Sequence, residues 1–167
     1  AFSLYDEKVL FNNSISFDRE YKFYTQIQHF SIPRFFGKIS QNDSIIIEFI
    51  RGKTLYEIEC DKFSNEDRFY IIIQMLIIFE FLHFCKFVYR DLKPNNLFVD
   101  ENKRIILIDF DQVINLKEVN EYTPVTVSFN SSFACPELKN EIKNNHNSFK
   151  MDVYSIGVMI YYIFFKT

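Results

Sequence analysis

Hydrophobic and polar positions alternate with a changing period along this chain, and the changes mark its elements. Leu4 to Phe11 reads as a strand that ends at the turn-forming run Asn12-Asn13-Ser14. From Ser16 to Phe30 the period lengthens. Phe17, Tyr21, Tyr24 and Ile27 fall three or four residues apart with charges between them, which predicts an amphipathic helix. Pro33 and Gly37 interrupt the next stretch. Phe35 to Ser40 and Ser44 to Ile50 then read as two strands joined at Gln41-Asn42-Asp43, and Gly52 breaks the second. Ser64-Asn65-Glu66-Asp67 supplies a cap and early negative charge for a long helix running to about Phe84. Leu97 to Val99 and Arg104 to Ile108 predict two short strands around the polar turn Asp100-Glu101-Asn102-Lys103. Residues 111–150 are mostly polar and read as irregular, and a last helix starts near Asp152. Strands with one helix come first and mostly helices come after, so the expected fold class is α+β in two lobes.

Composition narrows the classes. At 167 residues, 48% hydrophobic and with a net charge of only −3, the chain has enough apolar material for a core and is not a disordered segment. That charge also argues against generic nucleic-acid binding, which prefers a strongly basic surface. Cys60, Cys85 and Cys135 are odd in number and far apart, which suits a reducing, cytoplasmic compartment and neither a disulfide framework nor a zinc site. Asp6, Glu7 and Lys8 break the start before any secretory signal develops. Ile71 to Tyr89 contains Gln74, Glu80, His83 and Lys86, and the uncharged run from Val153 to Phe165 is short of the roughly 20 residues a bilayer needs. No membrane partner is expected, and the second run reads as a helix buried in a soluble core.

The chemistry concentrates in Tyr89-Arg90-Asp91-Leu92-Lys93-Pro94-Asn95-Asn96. A carboxylate (Asp91) and an amide oxygen (Asn96) lie five residues apart on a loop stiffened by Pro94, with a cation (Lys93) between them. This stretch resembles the catalytic loop of eukaryotic-type protein kinases, H-R-D-L-x-x-x-N, with Tyr89 in the His place. The resemblance implies phosphoryl transfer from ATP with Mg2+ to a protein substrate. Asp91 would orient the attacking hydroxyl and take its proton late, Lys93 would neutralise charge on the transferred phosphate, and Asn96 would ligate magnesium. Lysine at position 93 matches the serine/threonine-kinase pattern. Arg90 would read a phosphate or acidic group on the activation segment through its fork of donors.

Three further segments extend the resemblance in order. Asp109-Phe110-Asp111 stands where the family has D-F-G: Asp109 would chelate magnesium, with Phe110 as its structural and regulatory neighbour. Asp111 departs from the expected glycine, which restricts backbone flipping and adds negative charge near the metal. Ala134-Cys135-Pro136-Glu137 resembles A-P-E, with Cys135 in the Ala place and Glu137 as the anchor of the activation segment. Tyr122, Thr123, Thr126, Ser128, Ser131 and Ser132 lie within that segment. Asp152-Val153-Tyr154-Ser155-Ile156-Gly157-Val158 resembles D-x-[WY]-S-x-G, in which Asp152 would accept the catalytic loop's amide protons.

Toward the N-terminus the match loosens. Glu20, nine residues before His29-Phe30-Ser31-Ile32-Pro33, resembles the glutamate of the family's N-lobe helix. Its partner would be Lys8, as the strand lysine that holds the nucleotide's α- and β-phosphates. His29 reads as a packed turn residue. Glu48-Phe49-Ile50 resembles the hinge whose backbone pairs the adenine, with Ile47 at the back of that pocket. No G-x-G-x-x-G occurs. The expected organisation is therefore a partial N-lobe over residues 1–50 and a partial C-lobe over 51–167, incomplete at both ends, with the apolar face of Val153 to Phe165 exposed if the chain goes no further. The leading expectation is an ATP- and magnesium-dependent protein serine/threonine kinase. A pseudokinase or scaffold with weak nucleotide binding is the alternative, and a small-molecule kinase fits the two C-terminal segments less well. Oligomeric state is not legible.

Overall fold

The computed structural model describes residues 8–11, 14–39, 44–118, 132–136 and 148–165. Strand β1 (Lys8–Phe11), helix α1 (Ser14–Gln26) and strands β2 (Phe35–Ile39) and β3 (Ser44–Ile47) come first. β3 lies in the middle of an antiparallel sheet, flanked by β1 and β2, with Lys8 opposite Ile47. Next come β4 (Lys53–Thr54), a 3-10 turn at Cys60–Lys62, and the long helix α2 (Asn65–Phe84). β5 (Phe87–Val88), a second 3-10 turn at Pro94–Asn96, β6 (Leu97–Val99), β7 (Ile105–Leu107), β8 (Ile114–Asn115) and α3 (Phe149–Phe165) complete the order. β4, β6 and β7 form a second antiparallel sheet, and β5 pairs with β8. The architecture is α+β, as the element order predicts.

Helix α2 is the scaffold for everything downstream. Its start is set by a reciprocal capping box, in which the Ser64 hydroxyl accepts from Asp67 N at 3.0 Å and the Asp67 carboxylate accepts from Ser64 N at 3.2 Å. Ile71, Met75, Ile78 and Leu82 recur at steps of four, three and four and are fully buried. Each such side chain contributes roughly 1.5–3 kcal/mol of transfer free energy. Gln74 shares the buried side, and its amide is fully used. It donates to Lys103 O at 2.8 Å and Tyr70 O at 3.3 Å, and accepts from Ile105 N at 3.2 Å. One polar side chain thereby fixes the β6–β7 hairpin against the helix. Gly52 closes the same corner: a Cβ there would lie 2.7 Å from Val99 O, so no other residue fits without moving backbone.

Several boundaries differ from the sequence expectation. α1 stops at Gln26 instead of Phe30, because the chain turns at His29–Ser31 and Ser31 O accepts from Leu107 N at 2.8 Å. β3 ends at Ile47, where Glu48 N donates to Arg34 O at 2.8 Å and leaves the sheet's register. Within 111–150, read as irregular, residues 114 and 115 form β8, and α3 begins three residues before Asp152. α3 buries Met151, Asp152, Ser155, Ile156, Met159 and Ile163 while Val153, Tyr161 and Phe165 are exposed, so it is one-sided and not enclosed among the described residues. No helix of the described residues is long and apolar enough to cross a membrane.

Candidate active site

Asp152, in the first turn of α3, is fully buried and organises the loop after β5. Its carboxylate accepts from Tyr89 N at 3.0 Å and Arg90 N at 2.8 Å, and meets His83 Nε2 at 2.8 Å. Arg90 has a positive φ of 69°, a conformation unfavourable for a side-chain-bearing residue, and the carboxylate holds that turn in place. The chain then presents Asp91 at the mouth of the loop. Lys93 Nζ pairs with Asp91 Oδ2 at 2.6 Å. Asn96 Nδ2 donates to Asp91 Oδ2 at 2.9 Å and to Asp91 O at 3.0 Å. The 3-10 turn from Pro94 brings Asn96 back over Asp91, with Asn96 N donating to Lys93 O at 3.0 Å. Asp91, Lys93 and Asn96 are therefore brought together as the motif spacing requires.

The partner strand delivers Asp109. Ile108 is held from both directions: its N–H donates to Asn96 O at 3.0 Å, and its carbonyl accepts from the Tyr89 hydroxyl at 2.5 Å. Tyrosine in the histidine place thus has a specific task, anchoring the residue before Asp109. Asp109 itself has φ 65°. Phe110 is fully buried, stacked on Phe23 with ring centroids 4.0 Å apart and met edge-on by Tyr24 and Tyr89. Its N–H donates to Glu20 Oε1 at 3.4 Å, so the buried glutamate of α1 reaches the same segment.

Burial, and then the neighbouring carboxyls of Asp111 and Asp91, push the Asp109 pKa up to about 7. Negative charge is concentrated here beyond what Lys93 offsets. Among the described residues no three His, Cys, Asp or Glu side chains form a self-sufficient metal cage. Magnesium does not need one, because it keeps waters and is bound through one or two protein oxygens plus substrate phosphates. Asp109 and the carbonyl end of Asn96, whose amide nitrogen is used on Asp91, fit that donor set.

The Arg90 guanidinium lies where the charges of Asp152 and Asp111 both act on it. Its Nε donates to Gln112 O at 2.7 Å, and burial followed by the nearby charge of Arg19 lowers its pKa to about 10. A cavity of about 170 Å³ lined by Arg19, Lys22, Phe23, Phe87 and Asn115 lies between α1 and the β5–β8 pair.

The remaining expected site residues are placed less fully. Lys8 is located by backbone register alone, opposite Ile47. Ile47 is buried; Glu48 and Ile50 are half-buried and Phe49 is exposed. The Glu48 carboxylate turns back to accept from Arg34 N at 3.2 Å. Glu137 and the segment residues Tyr122, Thr123, Thr126, Ser128 and Ser131 lie outside the described residues. Sequence reading missed His83 and Gln112. A polar residue near the C-terminus of an apolar helix is the signal that points to His83. Gln112 acts through its backbone and carries no side-chain signal.

A sequence model described as protein kinase domain matches residues 5–167. The chain is 29% identical over 164 residues to the dual specificity protein kinase pyk3 of Dictyostelium discoideum, covering 94% of this chain and 12% of that protein. It is 29% identical over 147 residues to a probable serine/threonine-protein kinase PLK of the same organism, covering 85% and 14%. It is 28% identical over 145 residues to the human serine/threonine-protein kinase Nek10, covering 81% and 12%. The chain thus spans a small fraction of the length of these relatives.

Proposed function

This chain belongs to the protein kinase domain family, and on that premise we propose that it transfers the γ-phosphoryl group of ATP to serine or threonine hydroxyls of protein substrates. The observation that carries the reading is the Asp91 carboxylate gripped by Lys93 at 2.6 Å and Asn96 at 2.9 Å, with Asp109, two residues past β7, close enough for the charge of Asp91 to act on it. The substrate hydroxyl bonds the γ-phosphorus, the bond to the β–γ bridging oxygen breaks, ADP leaves, and the hydroxyl proton passes to Asp91. Magnesium, when bound, supplies positive charge to the phosphates. Asn96 and Asp109 are the residues that would hold it.

Lys93 pairs with Asp91 before substrate arrives and faces the transferred phosphate afterwards. Ile47 backs the adenine, the backbone of Glu48, Phe49 and Ile50 pairs with its edge, and Lys8 with Glu20 positions the phosphates. Arg90, with Arg19 beside it, takes a phosphate on the segment after β8. Glu137 anchors the end of that segment, and Asp152 positions the catalytic loop. Residues 1–50 and 51–167 are the corresponding portions of the two lobes. Names of relatives favour serine and threonine acceptors, and one relative carries the dual-specificity name. The test is phosphate transfer from radiolabelled ATP by the full-length protein and by Asp91→Asn; equal activity in the two ends the assignment of Asp91.

A second reading, a nucleotide-poor scaffold built on the same fold, is favoured by Asp111, whose carboxyl crowds the metal residue. Thermal shift with Mg-ATP separates the two. A folded protein that gains no stability from Mg-ATP supports the scaffold.

A further inference from the structure

The cavity between α1 and the β5–β8 pair holds neither Asp91 nor Asp109, yet its lining is divided by chemistry. Phe23, Phe87 and Val113 make one part apolar, and Phe87 meets Phe23 edge-on with ring centroids 5.3 Å apart. Arg19 and Lys22, about one turn apart on α1, line the same cavity. Arg19 is half-buried and Lys22 exposed, and neither side chain forms a hydrogen bond or an ion pair among the described residues. Like charges three residues apart on a helix repel, and the Arg19 charge also bears on Arg90. The one acid of the lining, Glu118, accepts from Asn115 Nδ2 at 3.4 Å. Two cations against one acid leave the cavity positive, so it favours an anion with an apolar body.

Size decides what carries that anion. At about 170 Å³ the cavity is well below the roughly 300–1,000 Å³ of sites that enclose a whole ligand, and close to the roughly 150 Å³ that accepts a benzene ring. One aromatic ring fills it, so the rest of the occupant lies outside. A single aromatic anchor seated in a pocket is how protein partners gain much of their binding energy. We infer that this cavity docks one aromatic side chain of an acidic segment on a partner protein, with the ring against Phe23 and Phe87 and the neighbouring carboxylates on Arg19 and Lys22. The inference goes beyond the phosphoryl-transfer reading and does not rest on it. It does set the partner beside that site, because Phe23 is stacked on Phe110 with ring centroids 4.0 Å apart.

The probe is a fluorescein-labelled peptide, Glu-Asp-Phe-Asp-Glu, titrated against the full-length protein by fluorescence polarisation. Arg19 is shared with the phosphate-reading role proposed for Arg90, so the diagnostic variants lie elsewhere on the lining. Lys22→Glu reverses a charge, and Gln26→Trp sets a bulky ring at the cavity from an exposed position. The wild type should bind the peptide and each variant should bind it about tenfold more weakly, with melting temperatures equal to that of the wild type. Control peptides with alanine in place of the phenylalanine, or lysines in place of the acids, should bind the wild type at least about tenfold more weakly than the probe. No binding up to about 1 mM peptide overturns the inference, and so does equal binding of either control. Equal affinity in both variants also overturns it, because the peptide then sits elsewhere. Phenylacetate binding as tightly as the probe would make the occupant a free small acid. A dimer in sedimentation velocity that Gln26→Trp dissociates would make it a second copy of this chain. Either result overturns the choice of a partner protein, and none of these outcomes bears on the assignment of Asp91.

Discussion

Around Asp91 the functional side chains hold one another, while along residues 48–50 one carboxylate folds back onto the chain and the ring beside it stands exposed. Asp91 has Lys93 and Asn96, the Tyr89 hydroxyl has Ile108 O, and the loop's amides have Asp152. Along the hinge-like stretch, Phe49 is 46% exposed and the Glu48 carboxylate folds back onto Arg34 N. On the proposed function the contrast has a reason. Moving a proton and holding a cation demand particular side chains at particular distances, whereas pairing with a flat base demands an extended backbone and little else.

The largest expected effect falls in the first region. Asp91→Asn keeps the shape of the side chain but removes its capacity to accept a proton and its charge toward Lys93. Phosphate transfer should fall by about 10²–10⁴-fold, or about 3–5 kcal/mol of barrier, with melting temperature little changed. Next comes Asp152→Ala, which acts on stability. It leaves Tyr89 N and Arg90 N without their buried acceptor and releases a left-handed turn. A loss of about 3 kcal/mol is expected, read as a lower urea midpoint at unchanged slope. A loss below about 1 kcal/mol would mean that the loop is held by something other than this carboxylate.

The same contrast explains what was legible in the sequence. Asp91, Lys93, Asn96, Asp109 and Asp152 stand out because they fall in motifs of recognisable spacing; the structure bonds Asp91 to Lys93 and Asn96 and sets the buried Asp152 behind the loop. Helix α2 was legible to the residue at its start, since the Ser64–Asp67 box is a local device. The hinge-like residues were faint for a physical reason: on the proposed function they would offer backbone to the nucleotide, which places few demands on their side chains. Short strands such as β4, β5 and β8 were invisible, because two residues carry no period and form only where a partner from elsewhere in the chain meets them. The Gln74 contacts that join helix to hairpin lie 29 and 31 residues apart, beyond any local pattern.

A third prediction sharpens the contrast through pH. In metal-free buffer containing EDTA, Asp109 carries a folded-state pKa of about 7 against 3.8 for the free side chain. The folded protein therefore binds a proton more tightly than the unfolded chain. This contribution to stability is complete below about pH 4 and is lost as pH rises through about 7. Discounted for the partly exposed position of the carboxyl, it amounts to about 2 kcal/mol. Asp111→Gly removes a principal cause of the shift after burial itself, so its urea midpoint should change less between pH 4 and 8 than that of the wild type. Parallel profiles would show that Asp111 is not crowding Asp109.

The smallest effect belongs to the hinge-like stretch. Phe49→Ala trims a ring that is nearly half exposed and leaves the backbone N–H and C=O in place. Stability should move by no more than about 0.5 kcal/mol, and ATP affinity by isothermal titration by less than about threefold. Phe49→Pro is the matched control: it deletes the N–H and restricts the preceding residue, so it tests backbone recognition directly. If alanine weakens ATP binding as much as proline does, the ring itself contacts the nucleotide. The division between side-chain chemistry at Asp91 and backbone recognition at Phe49 then fails, because both regions would depend on residue identity. If proline alone weakens binding, the faintness of this stretch in the sequence is a consequence of its mode of recognition.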